Sequence, residues 1–544
     1  MVKPGRGAER AVEIVDGRAG PGHVARATIG ATVARVSRTS DPTDLADPLS
    51  EKLGPDVIRI GVVVLIGAFM SILDTTIVNV ALDRLTLALH TDFAQIQWIV
   101  TGYMLAMAAV IPLSGWITTR FGAKRVFIFS LVTFTLASAL CGLSWNLDSL
   151  IVFRVLQGVG GGLLMPVGQM MLAETAGPRR MGRVMSMVAI PMLVAPVVGP
   201  VLGGLLVTKA DWEWIFFINV PVGIAGTVLA VRMLHDDRGR ETWRLDLVGL
   251  VLMAIGVPLL TFGLAETGIA GSITTLRAWL PIVLGLTLTA LYVVYALRRE
   301  RPLINVRLFR NAAFAAASVT AFALGAVLFG GMILLPLYEQ GPRMHSALET
   351  GLILAPMGLG AALAAPISGR LADRYGGGRV AVVGLTVLTL ATIPFTFLSA
   401  TTPQWVIMVA LFFRGLGVSG SIMPAFAAAY AVLEHRQIPD ATSQFNVVQR
   451  VGGSIGSAIL AVILAGKLGG GNSAPPPEGT LLPLPVRETM ADAYASTHWW
   501  VVALTVVALV PALILMRIER KRRYTEVSSH GAGAAMAAPG DGTP

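Results

Sequence analysis

The sequence predicts an all-α polytopic membrane protein: two six-helix repeat bundles plus two inserted helices. Three observations predict it. Fourteen apolar segments run from about Ile58 to about Leu515, little charge lies among them, and two motif pairs recur at nearly one offset. A helix rising ~1.5 Å per residue needs roughly 20 apolar residues to cross a ~30 Å hydrocarbon core. The segments fall at about 58–81, 96–118, 126–144, 150–171, 185–206, 215–233, 245–265, 278–297, 314–338, 348–368, 380–399, 405–430, 442–466 and 499–516. The chain is 54% hydrophobic and 14% charged, whereas a soluble domain carries about 25% charged residues. Such a chain moves something across the bilayer or acts on something within it.

Charge in the gaps sets the orientation. With the N-terminus in the cytoplasm, the even-numbered gaps hold 19 Lys and Arg, among them Arg120, Arg179 and Arg374, and the odd-numbered gaps hold 6. Positive residues favour the cytoplasmic side, so both termini are expected there, in a cell (plasma or inner) membrane. The formal charge of +10 is then a topology signal, and no nucleic-acid partner is expected. The stretch from Met1 to about Asp56 lacks an apolar run and reads as a disordered tail rather than a signal peptide. The basic cluster Arg517, Arg520, Lys521, Arg522 and Arg523 is expected to anchor the last helix at the anionic inner leaflet. The gap from Lys467 to His498, with Gly469–Gly471 and Pro475–Pro477, is expected to be the longest outer loop. The lone Cys141 allows no internal disulfide and no CxxC site. No His/Cys/Asp cluster has metal-ligand spacing, no Walker A motif is present, and no Ser/His/Asp arrangement suggests chemistry. No metal, cofactor, ATP or catalytic residue is therefore expected.

Ser114–Val126 and Ser368–Val380 both read S-G-x4-R-aromatic-G-x2-R-V without a gap, 254 residues apart. Phe153-Arg154 leading to Met165-Pro166 recurs as Phe413-Arg414 leading to Met423-Pro424, with the arginines 260 residues apart. Two unrelated segment pairs at nearly one offset indicate duplication. Span two then maps to span ten and span four to span twelve, which leaves spans seven and eight as an insertion. The expected division is 1–57 tail, 58–234 first bundle, 235–300 inserted pair, 301–516 second bundle and 517–544 tail. Repeat-built transporters place substrate near the midplane between the repeats and alternate by rocking one against the other.

Five signatures appear in order on these spans. Span one carries Leu73-Asp74-Thr75-Thr76-Ile77-Val78-Asn79-Val80-Ala81-Leu82, and the loop after span two carries Gly115, Arg120 and Gly122. Span four carries Arg154-Val155-Leu156-Gln157-Gly158, span five Gly199-Pro200-Val201-Leu202-Gly203-Gly204, and span six Trp212-Glu213-Trp214-Ile215-Phe216-Phe217-Ile218-Asn219-Val220-Pro221. Over about 58–516 the chain resembles the major facilitator superfamily, and within it the fourteen-span drug/proton antiporter branch. The resemblance implies export of hydrophobic, structurally varied small molecules in exchange for protons; a monomer embedded in lipid is the expected assembly. A dedicated exporter of one endogenous lipid, antibiotic or metabolite is the alternative. Three positions depart from the pattern. Thr119 stands where the first loop usually has an Asp, while the second copy keeps Asp373; Asp83 replaces a Pro, and Glu213 an Arg.

An ionisable group deep in a span costs at least ~2.5–3.5 kcal/mol, so it normally faces a partner or a cavity. Asp74 is therefore the expected proton-coupling group, against a structural carboxyl satisfied by hydroxyls such as Ser71. Arg154, always charged and rich in donors, is expected to tune it. Gating is assigned to Gly115, Arg120, Gly122, Gly369, Asp373 and Arg374, and to span five. There Ala195, Gly199 and Gly203 make a bare stripe, and Pro191, Pro196 and Pro200 remove backbone bonds. That stripe suits either a rocking interface or a static packing seam. Asn79, Gln157, Met104, Met332 and Arg414 are the substrate-cavity candidates, the methionines as adaptable apolar lining. Arg450 is a further charge within span thirteen, and Glu339 is read as an interfacial group.

Overall fold

A computed structural model of the protein describes residues 54–177, 180–236, 239, 244–468 and 482–536. The expected N-terminal tail, Arg179, Gly469–Gly471, Pro475–Pro477 and the final residues from 537 lie outside these. So do the side chains of Asp83, Pro196, Pro200 and residues 522–536. The described residues contain no strand.

We number the long helices α1 to α14 in chain order. They are α1 Pro55–Ala88, α2 Trp98–Phe121, α3 Ala123–Gly142, α4 Leu147–Ala176, α5 Met181–Lys209, α6 Trp214–Met233 and α7 Leu247–Ala270. The second set is α8 Leu276–Arg298, α9 Ala312–Gln340, α10 Ala347–Tyr375, α11 Gly377–Phe397, α12 Gln404–Tyr430, α13 His435–Lys467 and α14 Leu484–Met536. Thirteen of them are long and apolar enough to cross a membrane, and α5, itself 29 residues long, completes the set of fourteen. Side-chain caps punctuate the series. Asn146 and Ser149 form a reciprocal box at the start of α4, as do Ser346 and Glu349 at α10, while Asn311 caps α9.

The repeat is visible in the backbone. Gly122 between α2 and α3 has φ +89°, and Gly376 between α10 and α11 has φ +99°. Both sit in the region that glycine reaches without strain. Pro166 and Pro424 lie inside α4 and α12, and Arg154 and Arg414 are both buried.

One boundary differs from the sequence reading. α14 begins at Leu484, not near 499, and its helix continues past 517 to Met536. Arg487, Glu488 and Asp492 ended the apolar run in sequence, yet the first two serve packing. Arg487 Nε donates to the Pro342 carbonyl at 2.6 Å, and Glu488 Oε2 accepts from the Ala400 amide at 3.0 Å. The second part of the expected outer loop is therefore helical.

The inserted pair docks beside both halves. α7 packs on α2 through Trp98 stacked on Phe262, centroids 5.8 Å apart, and Gly268 of α7 and Gly271 just past its end face Ala461 and Ala465 of α13. Asp246 ties the pair together: it caps α7 at Gly249 and accepts from the Tyr295 hydroxyl and the Leu303 amide. Gln444 of α13 then donates to the Asn305 carbonyl at 2.9 Å, which binds the connecting segment to the second half.

The hydrogen bonds described between the first and second halves lie at the end of the bundle where α14 leaves, the tail end. Ser443 Oγ donates to the Ile111 carbonyl at 3.1 Å and Asn446 Nδ2 to Gln169 Oε1 at 2.7 Å. α5 and α10 meet there as well.

Candidate functional site

Four helices of the first half converge on Asp74, which is fully buried in α1. Arg154 Nη1 from α4 donates to Asp74 Oδ2 at 2.6 Å, and Gln157 Nε2 donates to Oδ1 at 2.8 Å. Asn219 Nδ2 from α6 also donates to Oδ1, at 3.0 Å, while contacting Ser138 Oγ of α3 at 3.1 Å. Ser138 in turn donates to the Phe216 carbonyl. Arg154 and Gln157 reach one point because they stand three residues apart on one helix face. Arg154 Nη1 bridges to Gln157 Oε1 at 2.8 Å, and its Nε donates to the Ile99 carbonyl. Tyr103 of α2 covers the guanidinium at 4.1 Å, and its hydroxyl is shared with Ser71.

A carboxylate is an acceptor only, and each described partner of Asp74 is a donor aimed at it. These partners suit the ionised carboxylate, while Arg154 Nη2 has no hydrogen-bond partner among the described residues. Oδ1 accepts two of these bonds and Oδ2 one, so a proton on Oδ1 displaces a donor, while a proton on Oδ2 takes its free lone pair and removes the charge that holds Arg154. Charge at this position and the packing of α1 against α4 and α6 are thus mechanically linked.

Asp74 and Arg154 meet, as the sequence reading requires. Ser71 does not satisfy the carboxyl; it bonds Tyr103 instead. Gln157 belongs to this buried cluster rather than to a cavity wall. Asn219, Ser138 and Tyr103 escaped the sequence reading of the site. An isolated Asn between apolar residues of span six was the available signal for Asn219; a Tyr in an apolar span carries none. Cys141 borders the cluster, its thiol 3.6 Å from Gln157 Oε1.

Among the other candidates, Asn79 and Met104 are exposed and Met332 is half-buried. Arg414 is sealed inside the second half, over the Phe395 ring, and its Nε and Nη1 have no partner among the described residues. Gly331 of α9 lies against that guanidinium, with no room for a side chain. Among the described residues, no carboxylate pairs with Arg414 as Asp74 pairs with Arg154. Glu339 sits at the end of α9 as expected, yet it is fully buried and pairs with His345 Nδ1 at 2.8 Å.

The gating residues fall into two groups. Asp373 at the end of α10 crosses to the first half: Oδ1 accepts from the Gly182 amide at 2.7 Å and Oδ2 from Arg183 Nε at 2.8 Å. It thereby caps the positive N-terminal end of α5. Gly369 permits this, since a Cβ there would strike Arg183 and Gly182. In the first-half copy, Gly115 approaches the Pro439 carbonyl and Asp440 at the start of α13. Thr119 only bonds back to the Gly115 carbonyl. Arg120 and Arg374 are exposed at the tail end. Gly199 faces Thr76 and Ile77 of α1, so this part of the stripe packs inside the first half, while α5 also packs against α10 of the second. Gly203 is buried, and a Cβ on Gly204 would meet open space.

Asp373→Asn should slow transport several-fold, because it replaces a charge-assisted clasp worth roughly 1.5–3 kcal/mol. Thr119→Ala should change little. Transport rates at matched expression decide, and equal effects would remove the second loop from gating.

Two repeated helical halves, joined at one end and carrying a buried ion pair in one half, define a multi-pass membrane transporter. A family model described as Major Facilitator Superfamily matches residues 64–457, and the chain belongs to that superfamily. It is similar to "Multidrug resistance protein B homolog" of Mycobacterium tuberculosis, 36% identical over 505 residues, covering 88% of this chain and 94% of the relative. It is also similar to "Putative multidrug resistance protein MdtD" of Serratia proteamaculans, 33% identical over 411 residues and covering 74% and 84%. Among solved structures, the proton:xylose symporter XylE shares the fold, with TM-score 0.58 and 12% identity over 84% of this chain and 94% of that one.

Proposed function

We propose that the protein is a proton-coupled antiporter that exports hydrophobic small molecules across the cell membrane, a multidrug efflux pump. The observation that carries this reading is the donor-only shell around Asp74, where gaining or losing one proton changes the charge that holds α1 to α4 and α6. The names of the similar proteins support the substrate class, and the gap charges support a cytoplasmic position for both termini. The tail-end clasp of Asp373 on α5 then closes the cytoplasmic side, and loss of that clasp opens it. The protein works as a monomer in the bilayer, without ATP.

Dye efflux from energised cells, with and without a protonophore, tests this. Accumulated dye should leave cells that carry the protein, and the protonophore should stop it while cellular ATP is held constant. Efflux indifferent to the protonophore overturns proton coupling. No efflux of any compound in a broad dye and drug panel overturns the drug reading.

A further inference from the structure

The second half presents to the first a cation that has no carboxylate of its own. Asn446 of α13 reaches across to Gln169 of α4. Arg450 follows four residues later, so it lies on the same face of α13, one turn toward the far end. Ser454, a further turn along, donates to the Arg450 carbonyl at 3.2 Å. The Arg450 side chain is half-buried, and Tyr103 of the first half stands within electrostatic reach of it. Tyr103 is the ring that covers Arg154. On α4, Met165 lies one turn from Gln169 in the same far-end direction and is partly buried against the core. Among the described residues no carboxylate pairs with Arg450, and no hydrogen bond from its guanidinium is described.

A half-buried guanidinium in the middle of a span without an anion is an arrangement that a ligand completes. Its planar fork matches carboxylate or phosphate oxygens two at a time. We propose that Arg450 is the anion-recognising residue of a substrate site between the halves, which takes amphiphiles with a carboxylate or phosphate group on an apolar body. The inference rests on the efflux reading and names its substrate class. The anionic group sits on α13 and the apolar body lies toward α4 and Tyr103, so an occupied site abuts the cover of the Asp74–Arg154 pair. An anionic lipid offers the same chemistry as a soluble solute.

Binding to the full-length protein in phosphatidylcholine nanodiscs tests the proposal, with 1-pyrenebutyrate, its methyl ester and 1-pyrenebutylamine as fluorescent probes. The wild type should hold the carboxylate tightest. Arg450→Gln should weaken it roughly 10- to 100-fold and leave the ester unchanged, which also shows that the variant is folded; Arg450→Lys should keep part of the preference. Equal loss for carboxylate and ester, an unaffected carboxylate, or no carboxylate preference in the wild type overturns the proposal. Binding needs no proton gradient. A carboxylate preference in a protein that exports no dye would therefore sink the efflux reading and leave the site standing. With the preference established, displacement of pyrenebutyrate by added phosphatidylglycerol assigns the natural occupant to lipid, and its failure assigns a soluble solute.

Discussion

Asp74→Asn is expected to abolish uphill export, bringing efflux down to that of cells without the protein. The reason lies in the direction of the hydrogen bonds. Arg154, Gln157 and Asn219 all donate to the Asp74 carboxylate. An amide in its place turns one end into a donor that faces donors. It also leaves Arg154 buried without its anion, and breaking a buried ion pair from one side costs about 3–5 kcal/mol. A loss of export could then reflect a loss of fold. The double variant Asp74→Asn with Arg154→Gln separates the two, because it removes both charges from the buried site. It should restore membrane level and heat resistance without restoring proton-driven export, and Asp74→Glu should keep part of the activity. Substrate-induced proton movement in vesicles is the direct measurement. If Asp74→Asn still moves protons and exports against a gradient, coupling resides elsewhere, and half-buried Glu266 of α7 becomes the group to test.

Charge in apolar sequence made this site legible. Asp74 and Arg154 stand out because ionisable groups inside spans are costly and need a reason. Their partners were not legible for the same reason in reverse. Asn219, Ser138 and Tyr103 carry no formal charge, and a polar or aromatic residue among apolar ones does not say which helix it will face. Gln157 misled, since a lone amide on a helix serves a cavity or a buried carboxylate equally well. The fold was legible wherever apolar length equals helix length, as in α6, expected at 215–233 and found at Trp214–Met233. It failed at α14, whose first turns hold Arg487 and Glu488, bonded to neighbouring loops rather than to lipid. The repeated motif gave the two hinge glycines, Gly122 and Gly376, with nearly one backbone conformation. It also showed which copy keeps the carboxylate, Asp373 against Thr119; it did not tell that Asp373 reaches the start of α5 in the other half, while Thr119 bonds its own helix.

Gly199→Leu should reduce export at matched membrane level by an order of magnitude or more, although Gly199 touches neither substrate nor proton site. A Cβ at Gly199 runs into the Thr76 side chain on α1. Thr76 is itself fixed, its hydroxyl bonded to the Leu73 carbonyl at 2.9 Å and lying 3.5 Å from the Ala195 carbonyl. Added bulk must push α1 away from α5, and overpacking of this kind costs about 1–3 kcal/mol. Asp74 is two residues from Thr76, and its bonds of 2.6 to 3.0 Å do not survive a displacement of ~1 Å. Gly204→Leu is the matched control on the same helix: its side chain enters open space, and export should stay near wild type. Adding Thr76→Ala to Gly199→Leu makes room on the α1 side and should return part of the activity. Full activity in Gly199→Leu alone would mean that α1 and α5 separate freely at this seam, and the link from α5 to the Asp74 site would fall with it.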